Sequence, residues 1–101
     1  MDFNEQYYLE QATEEELNSL DWVAISWCKT LSEAFIEKFK DRVNWNNISY
    51  YQALSEPFIE KFADKVNWLI ISIKQILSES FIEKFADRVD WEYISYYQTL
   101  S

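Results

Sequence analysis

The chain has 101 residues, enough for one hydrophobic core and too few for two. Apolar residues make up 49% of it and aromatic residues 19%, which excludes a disordered chain; the absence of glycine and the single proline exclude a fold built on tight β-hairpins. A net charge of −9 excludes direct binding to nucleic acid or to an anionic membrane, and favours basic protein surfaces as partners.

The N-terminal segment MDFNEQYYLEQ carries acid where a secretory or organellar signal would carry base. No apolar run approaches the roughly 20 residues of a membrane span, so a cytosolic setting is expected. The single cysteine, Cys28, rules out an intrachain disulfide and suits a reducing compartment. It occupies the place that Tyr51 takes one repeat later, so a buried structural thiol is expected. Residues 8–30 read as a worn copy of the unit that follows. Trp22, Ile25 and Ser26 lie 23 residues before Trp45, Ile48 and Ser49, and Asp21 precedes Trp22 as Asn44 precedes Trp45.

Three gapless copies come next, over 31–53, 54–76 and 77–99, opening LSEAFIEKF, LSEPFIEKF and LSESFIEKF; Leu100 and Ser101 open a further one. Self-similarity at a fixed period of 23 residues indicates an array in which each unit buries its apolar face on its neighbours. Each copy reads as two short helices. Ser32, Ser55 and Ser78 are N-caps followed at once by Glu33, Glu56 and Glu79, whose charge suits the positive end of a helix. Pro57 falls in a first turn, where its missing N–H does no harm. Leu31 with Ile36, Leu54 with Ile59 and Leu77 with Ile82 form hydrophobic staples. Asn44, Asn67 and Asp90 cap the second helices, where Val43–Ile48, Val66–Ile71 and Val89–Ile94 are the staples. The expected fold is all-α: a single domain over 1–101, a short helix–turn–helix tandem-repeat array of about four two-helix units.

Phe35, Ile36 and Phe39 share one face of the first helix, with Val43 closing it, and Trp45, Ile48 and Tyr51 share a face of the second. These positions and their copies are read as core. Ser26, Ser49, Ser72 and Ser95 recur too, but with no histidine in the chain they have no catalytic base and are read as close-packing residues.

The pattern LSExFIEKFxDxVxWxxISxYQ resembles the short helical repeat of uncharacterised proteins from giant DNA viruses and bacteriophages. The resemblance covers 31–101 well and 8–30 poorly, and it implies a viral or mobile-element origin, an interaction role and no shared catalytic residues. In general character, small, acidic and repeat-built, the chain is also similar to anti-CRISPR and other anti-defence inhibitors, a likeness of style without a shared motif.

An enzyme is not expected. Without histidine the commonest general base and metal ligand are missing, without glycine there is no phosphate-cradling loop, and one cysteine cannot build a zinc site. No cofactor and no metal site is read from the chain, and a carboxylate-based metal enzyme stands as the remote alternative.

Two surface features carry information. Glu33, Glu37 and Asp41 follow one another at i, i+4, i+8, and Glu56, Glu60, Asp64 and Glu79, Glu83, Asp87 repeat them, which predicts three parallel carboxylate rows on one side of the array. Lys38/Arg42, Lys61/Lys65 and Lys84/Arg88 form a flanking basic row able to pair with neighbouring repeats. The acidic rows fit either a solvated, solubilising face or a mimic of a phosphate backbone that occupies a basic nucleic-acid-binding protein. The second feature is the stretch WLIISIKQIL over 68–77, where Leu69, Ile70, Ile73 and Ile76 replace Asn46, Asn47, Tyr50 and Ala53 of the preceding copy. A helix over 68–77 would be apolar almost all round, to be covered by the N-terminal segment Phe3 to Leu9 or by a second molecule, hence a homodimer. The expected function is that of a non-enzymatic viral or phage-type protein that binds and inhibits a host protein. The alternative is a scaffold module that self-associates or assembles partners through the apolar helix.

Overall fold

A computed structural model describes residues 4–28 and 30–97, among which there are nine short helices and no strand. Phe3, Thr99, Leu100 and Ser101, which entered the expectations above, lie outside the described residues. The helices α1 (Glu5–Glu10), α2 (Glu14–Asn18) and α3 (Trp22–Cys28) make the worn N-terminal unit. Three regular units follow: α4 (Glu33–Lys38) with α5 (Trp45–Tyr51), α6 (Glu56–Lys61) with α7 (Trp68–Lys74), and α8 (Glu79–Lys84) with α9 (Trp91–Tyr97). The fold is a helical repeat array.

Local chemistry sets the helix ends. The Ser32, Ser55 and Ser78 hydroxyls accept the amides of Phe35, Phe58 and Phe81, and the Asn44 and Asn67 side chains accept those of Asn47 and Ile70. Each first helix stops after about a turn and a half, because Phe39, Phe62 and Phe85 leave helical geometry near φ −108, ψ 33. The Phe39 carbonyl then accepts the amides of both Arg42 and Val43, which turns the chain into the next cap. α5 and α7 end where the backbone becomes extended, at Gln52 (ψ 138) and Gln75 (ψ 143).

The closest helix pairs are α3–α5, α5–α7 and α7–α9, so the second helices stack in one file, and α1 lies against α4. The array measures 47 × 21 × 17 Å. First helices stand further apart, with clefts of about 270 Å³ between α4 and α6 and about 280 Å³ between α6 and α8. The core runs the length of the file from Leu17 and Ile25 through Ile36, Ile48, Ile59, Ile71 and Ile82 to Val89 and Ile94. Tryptophans link the units: Trp22 stacks on Phe35, Trp45 on Phe58 and Trp68 on Phe81, at centroid distances of 6.1, 6.2 and 6.2 Å.

Buried polar groups form a second, repeating link. The Ser26, Ser49 and Ser72 hydroxyls accept the amides of Asn44, Asn67 and Asp90 at 2.9, 3.0 and 2.9 Å, each tying one second helix to the cap of the next. Gln75 lies between two extended connections, accepting the Leu54 amide at 3.1 Å and donating to the carbonyls of Ser49 and Gln52 at 2.9 and 2.8 Å. Gln52 does the same one unit earlier, with the Leu31 amide and the Ser26 carbonyl.

Several expectations change. The worn unit has three helices where two were expected, and α1 begins at Glu5, ahead of residue 8. It packs on α4 and not on α7, because Glu5 accepts the amide and hydroxyl of Ser32 and the Leu9 carbonyl accepts the Lys38 ammonium. Tyr51, expected in the core, is exposed, since the chain leaves the helix just beyond it and Gln52 takes the inward position. Cys28 at the equivalent place is exposed as well. The helix expected over 68–77 ends at Lys74, which leaves Ile76 in the extended connection.

Candidate interaction surface

The acidic rows are built differently from a row on one helix. Asp41, Asp64 and Asp87 lie in the turns after α4, α6 and α8, because those helices end at Lys38, Lys61 and Lys84. Glu33 and Glu37 are half-buried and point at the following repeat. The Glu33 carboxylate accepts the Ser55 amide at 2.7 Å and its hydroxyl at 3.0 Å, and Glu56 accepts the same groups of Ser78. Lys61 pairs with Glu37 and Lys84 with Glu60. Lys65 stands 3.4 Å from Asp41, and Arg88 stands 2.9 Å from Asp64. In the N-terminal unit Glu5 takes the part of Glu33, and Glu14 pairs with Arg42. Six of the nine carboxylates in the rows, from Glu33 to Asp64, are thus latches between successive repeats. Glu79, Glu83 and Asp87 occupy the same positions on the last described unit and are exposed.

The second helices present a surface of another kind. Facing solvent, wholly or in part, are Val23, Ala24, Trp27 and Cys28 on α3, and Asn46, Asn47, Tyr50 and Tyr51 on α5. Leu69, Ile70, Ile73 and Lys74 continue the face on α7, and Glu92, Tyr93 and Tyr96 on α9. Only Lys74 and Glu92 among these are charged, in a chain whose residues are 27% charged overall. The rings lie close together: Trp27 and Tyr51 are 5.9 Å apart, Tyr50 and Tyr51 are 4.5 Å apart, and the Lys74 ammonium stands 4.3 Å above the Tyr50 ring. Of the apolar residues singled out in the sequence, Leu69 is exposed and Ile70 and Ile73 are half-buried within this face. Ile76 is 96% exposed beside a groove of about 320 Å³ that Tyr50, Tyr51 and Lys74 also line.

The face therefore extends well beyond the middle repeat; Val23, Trp27, Tyr50 and Tyr96 join it without having been singled out for it, and Tyr51, expected in the core, joins it too. A signal for them is in the sequence. Reading each second-helix position down all four copies shows that the solvent-facing ones almost never carry charge, whereas three of the four outward first-helix positions carry it in every regular copy. Chemically the face offers apolar area, ring faces and hydroxyls. Among the described residues no group of three or more acidic, histidine or cysteine side chains is placed to hold a metal ion. No helix among them is long and apolar enough to cross a membrane.

Fold and surface together define a short α-helical repeat array with one interlocked, charged side and one neutral, aromatic side. No protein-family model, curated protein or solved structure matches the chain.

Proposed function

We propose that this chain is a non-enzymatic interaction module that binds a protein through the neutral face of its second helices. The observation that carries the reading is the segregation of charge, with two opposite charges on that face and a net −9 on the whole chain. Interface centres are depleted in charge and enriched in Tyr and Trp, the residue types gathered here. The repeat pattern's resemblance to viral and phage proteins supports a use in which the module inhibits a host protein by occupying it. A second reading, in which the carboxylates imitate a phosphate backbone, draws support from the one-repeat spacing of Glu37, Glu60 and Glu83. It is weakened by the latching of Glu37 and Glu60 to Lys61 and Lys84.

Affinity capture from a bacterial lysate separates the two, with three baits of matching circular dichroism: wild type, Tyr50→Lys/Leu69→Lys, and Glu37→Gln/Glu60→Gln/Glu83→Gln. The expected result is a captured protein retained by the glutamine variant and lost by the lysine variant. The reverse pattern, with capture collapsing as salt rises, would transfer the function to the acidic rows.

A further inference from the structure

We propose that the second-helix face is occupied by a second copy of the same chain, docked across a two-fold axis with Lys74 of each copy paired to Glu92 of the other. This rests on the reading of that face as a binding surface.

Electrostatics narrows the choice of occupant. A basic partner is drawn to the first-helix side and its turns, where the carboxylates are, and gains little from a neutral face. Two copies of this chain, each at −9, repel wherever acid meets acid. The second-helix face is the surface on which they can meet with least of that cost.

The two charges it does carry are opposite in sign and sit on adjacent helices, Lys74 in the last turn of α7 and Glu92 in the first turn of α9. The links between units repeat from one copy to the next, so α7 and α9 run in the same direction. A two-fold axis lying in the plane of the face, oblique to α7 and α9, then brings Lys74 onto Glu92 twice and crosses the two files. An isologous interface of this kind satisfies both charges with no third group. Lys74 is already held over the face by the Tyr50 ring, and Glu92 is exposed. Leu69 and Ile73 on α7, Tyr96 on α9 and the neighbouring Tyr50 on α5 furnish the aromatic and aliphatic anchors near the crossing.

The test is sedimentation equilibrium of the full chain from about 10 to about 500 µM, a range that spans micromolar affinities. A dimer is expected, and it should tighten as NaCl rises from about 20 to about 300 mM, because salt screens the repulsion between two acidic bodies. Lys74→Glu alone and Glu92→Lys alone should each weaken it about tenfold, a change of about 1.4 kcal/mol. The double variant Lys74→Glu/Glu92→Lys keeps the net charge and restores the pair, so its affinity should return to that of the wild type. A monomer at the highest concentration overturns the proposal, and so does a dimer indifferent to both single reversals. A monomer whose lysate capture is still abolished by Tyr50→Lys/Leu69→Lys sinks the second copy and leaves the face reading standing. A monomer whose capture ignores that variant sinks both.

Discussion

The Tyr7 hydroxyl donates to the Glu16 carboxylate and ties α1 to α2, which no spacing rule in the sequence announces. That bond, followed by the Thr13 amide, holds the Glu16 carboxyl below the usual carboxylate range, and it raises the Tyr7 phenol above its usual value. The signs follow from linkage. Glu16 contributes stability that is present above the unfolded carboxyl value, about 4.3, and is lost as pH falls through its lower folded value. Tyr7 contributes stability that is present below about pH 10 and is lost as pH rises through its higher folded value. Tyr7→Phe should therefore be less stable than wild type at neutral pH, and the gap should narrow as pH falls through the lowered carboxyl value. Urea unfolding across pH checks this, and a gap unchanged in acid would mean that the hydroxyl acts through something other than the Glu16 charge. At this scale the sequence was readable where the backbone decides, as at the Ser and Asn caps, and misleading at Tyr51 and Cys28. Spacing from Trp45 and Ile48 turned them inward, but on the actual helix the step to Tyr51 drifts off the buried face, which Gln52, four residues after Ile48, occupies instead.

Short helices make their connections as important as themselves. α4, α6 and α8 have six residues each, less than two turns, and are too short to be stable alone. What holds each unit to the next is the Ser hydroxyl on a cap amide and the Gln amide between two extended connections. Gln75→Leu would keep the volume but strand the Leu54 amide and the Ser49 and Gln52 carbonyls in a buried place. A loss of more than about 2 kcal/mol is expected by urea denaturation, since each buried unsatisfied group costs about 1–3 kcal/mol. A loss below about 0.5 kcal/mol would show that water replaces the amide. By contrast, Glu60→Gln breaks only an exposed pair with Lys84 and should cost less than about 1 kcal/mol. The sequence marked these glutamines only as repeating letters. Their role lies between units 21 to 26 residues apart, beyond the reach of a one-helix pattern.

In the whole molecule, interactions run between neighbours along one axis, so stability is the sum of unit and junction terms. α5 and α7 have a second helix on either side, whereas α1 buries no residue and is held at the end of the array by its packing on α4 and the Tyr7–Glu16 bond to α2. Amide hydrogen exchange should therefore find the strongest protection at Ile48, Ser49, Ile71 and Ser72, falling to the weakest in α1. Uniform protection from α1 to α9 would show instead that the array opens as a single cooperative block. The same one-dimensional order separates the surfaces, with latching charges on the first-helix side and the neutral aromatic face on the other.

The sequence alone determined the all-helical class, the 23-residue unit, the caps and most of the core, because repetition, capping and staples are local and act within a turn or two. Only the tertiary structure decided what the acidic rows do and how far the neutral face extends. Glu33 and Glu56 look like solvated charges until the next repeat's Ser55 and Ser78 are placed against them. Likewise Trp27, Tyr50 and Leu69 are separate residues of separate helices until the stacking of α3, α5 and α7 joins them. Helical periodicity says which way a side chain points from its own axis; what it meets there depends on how the units stack.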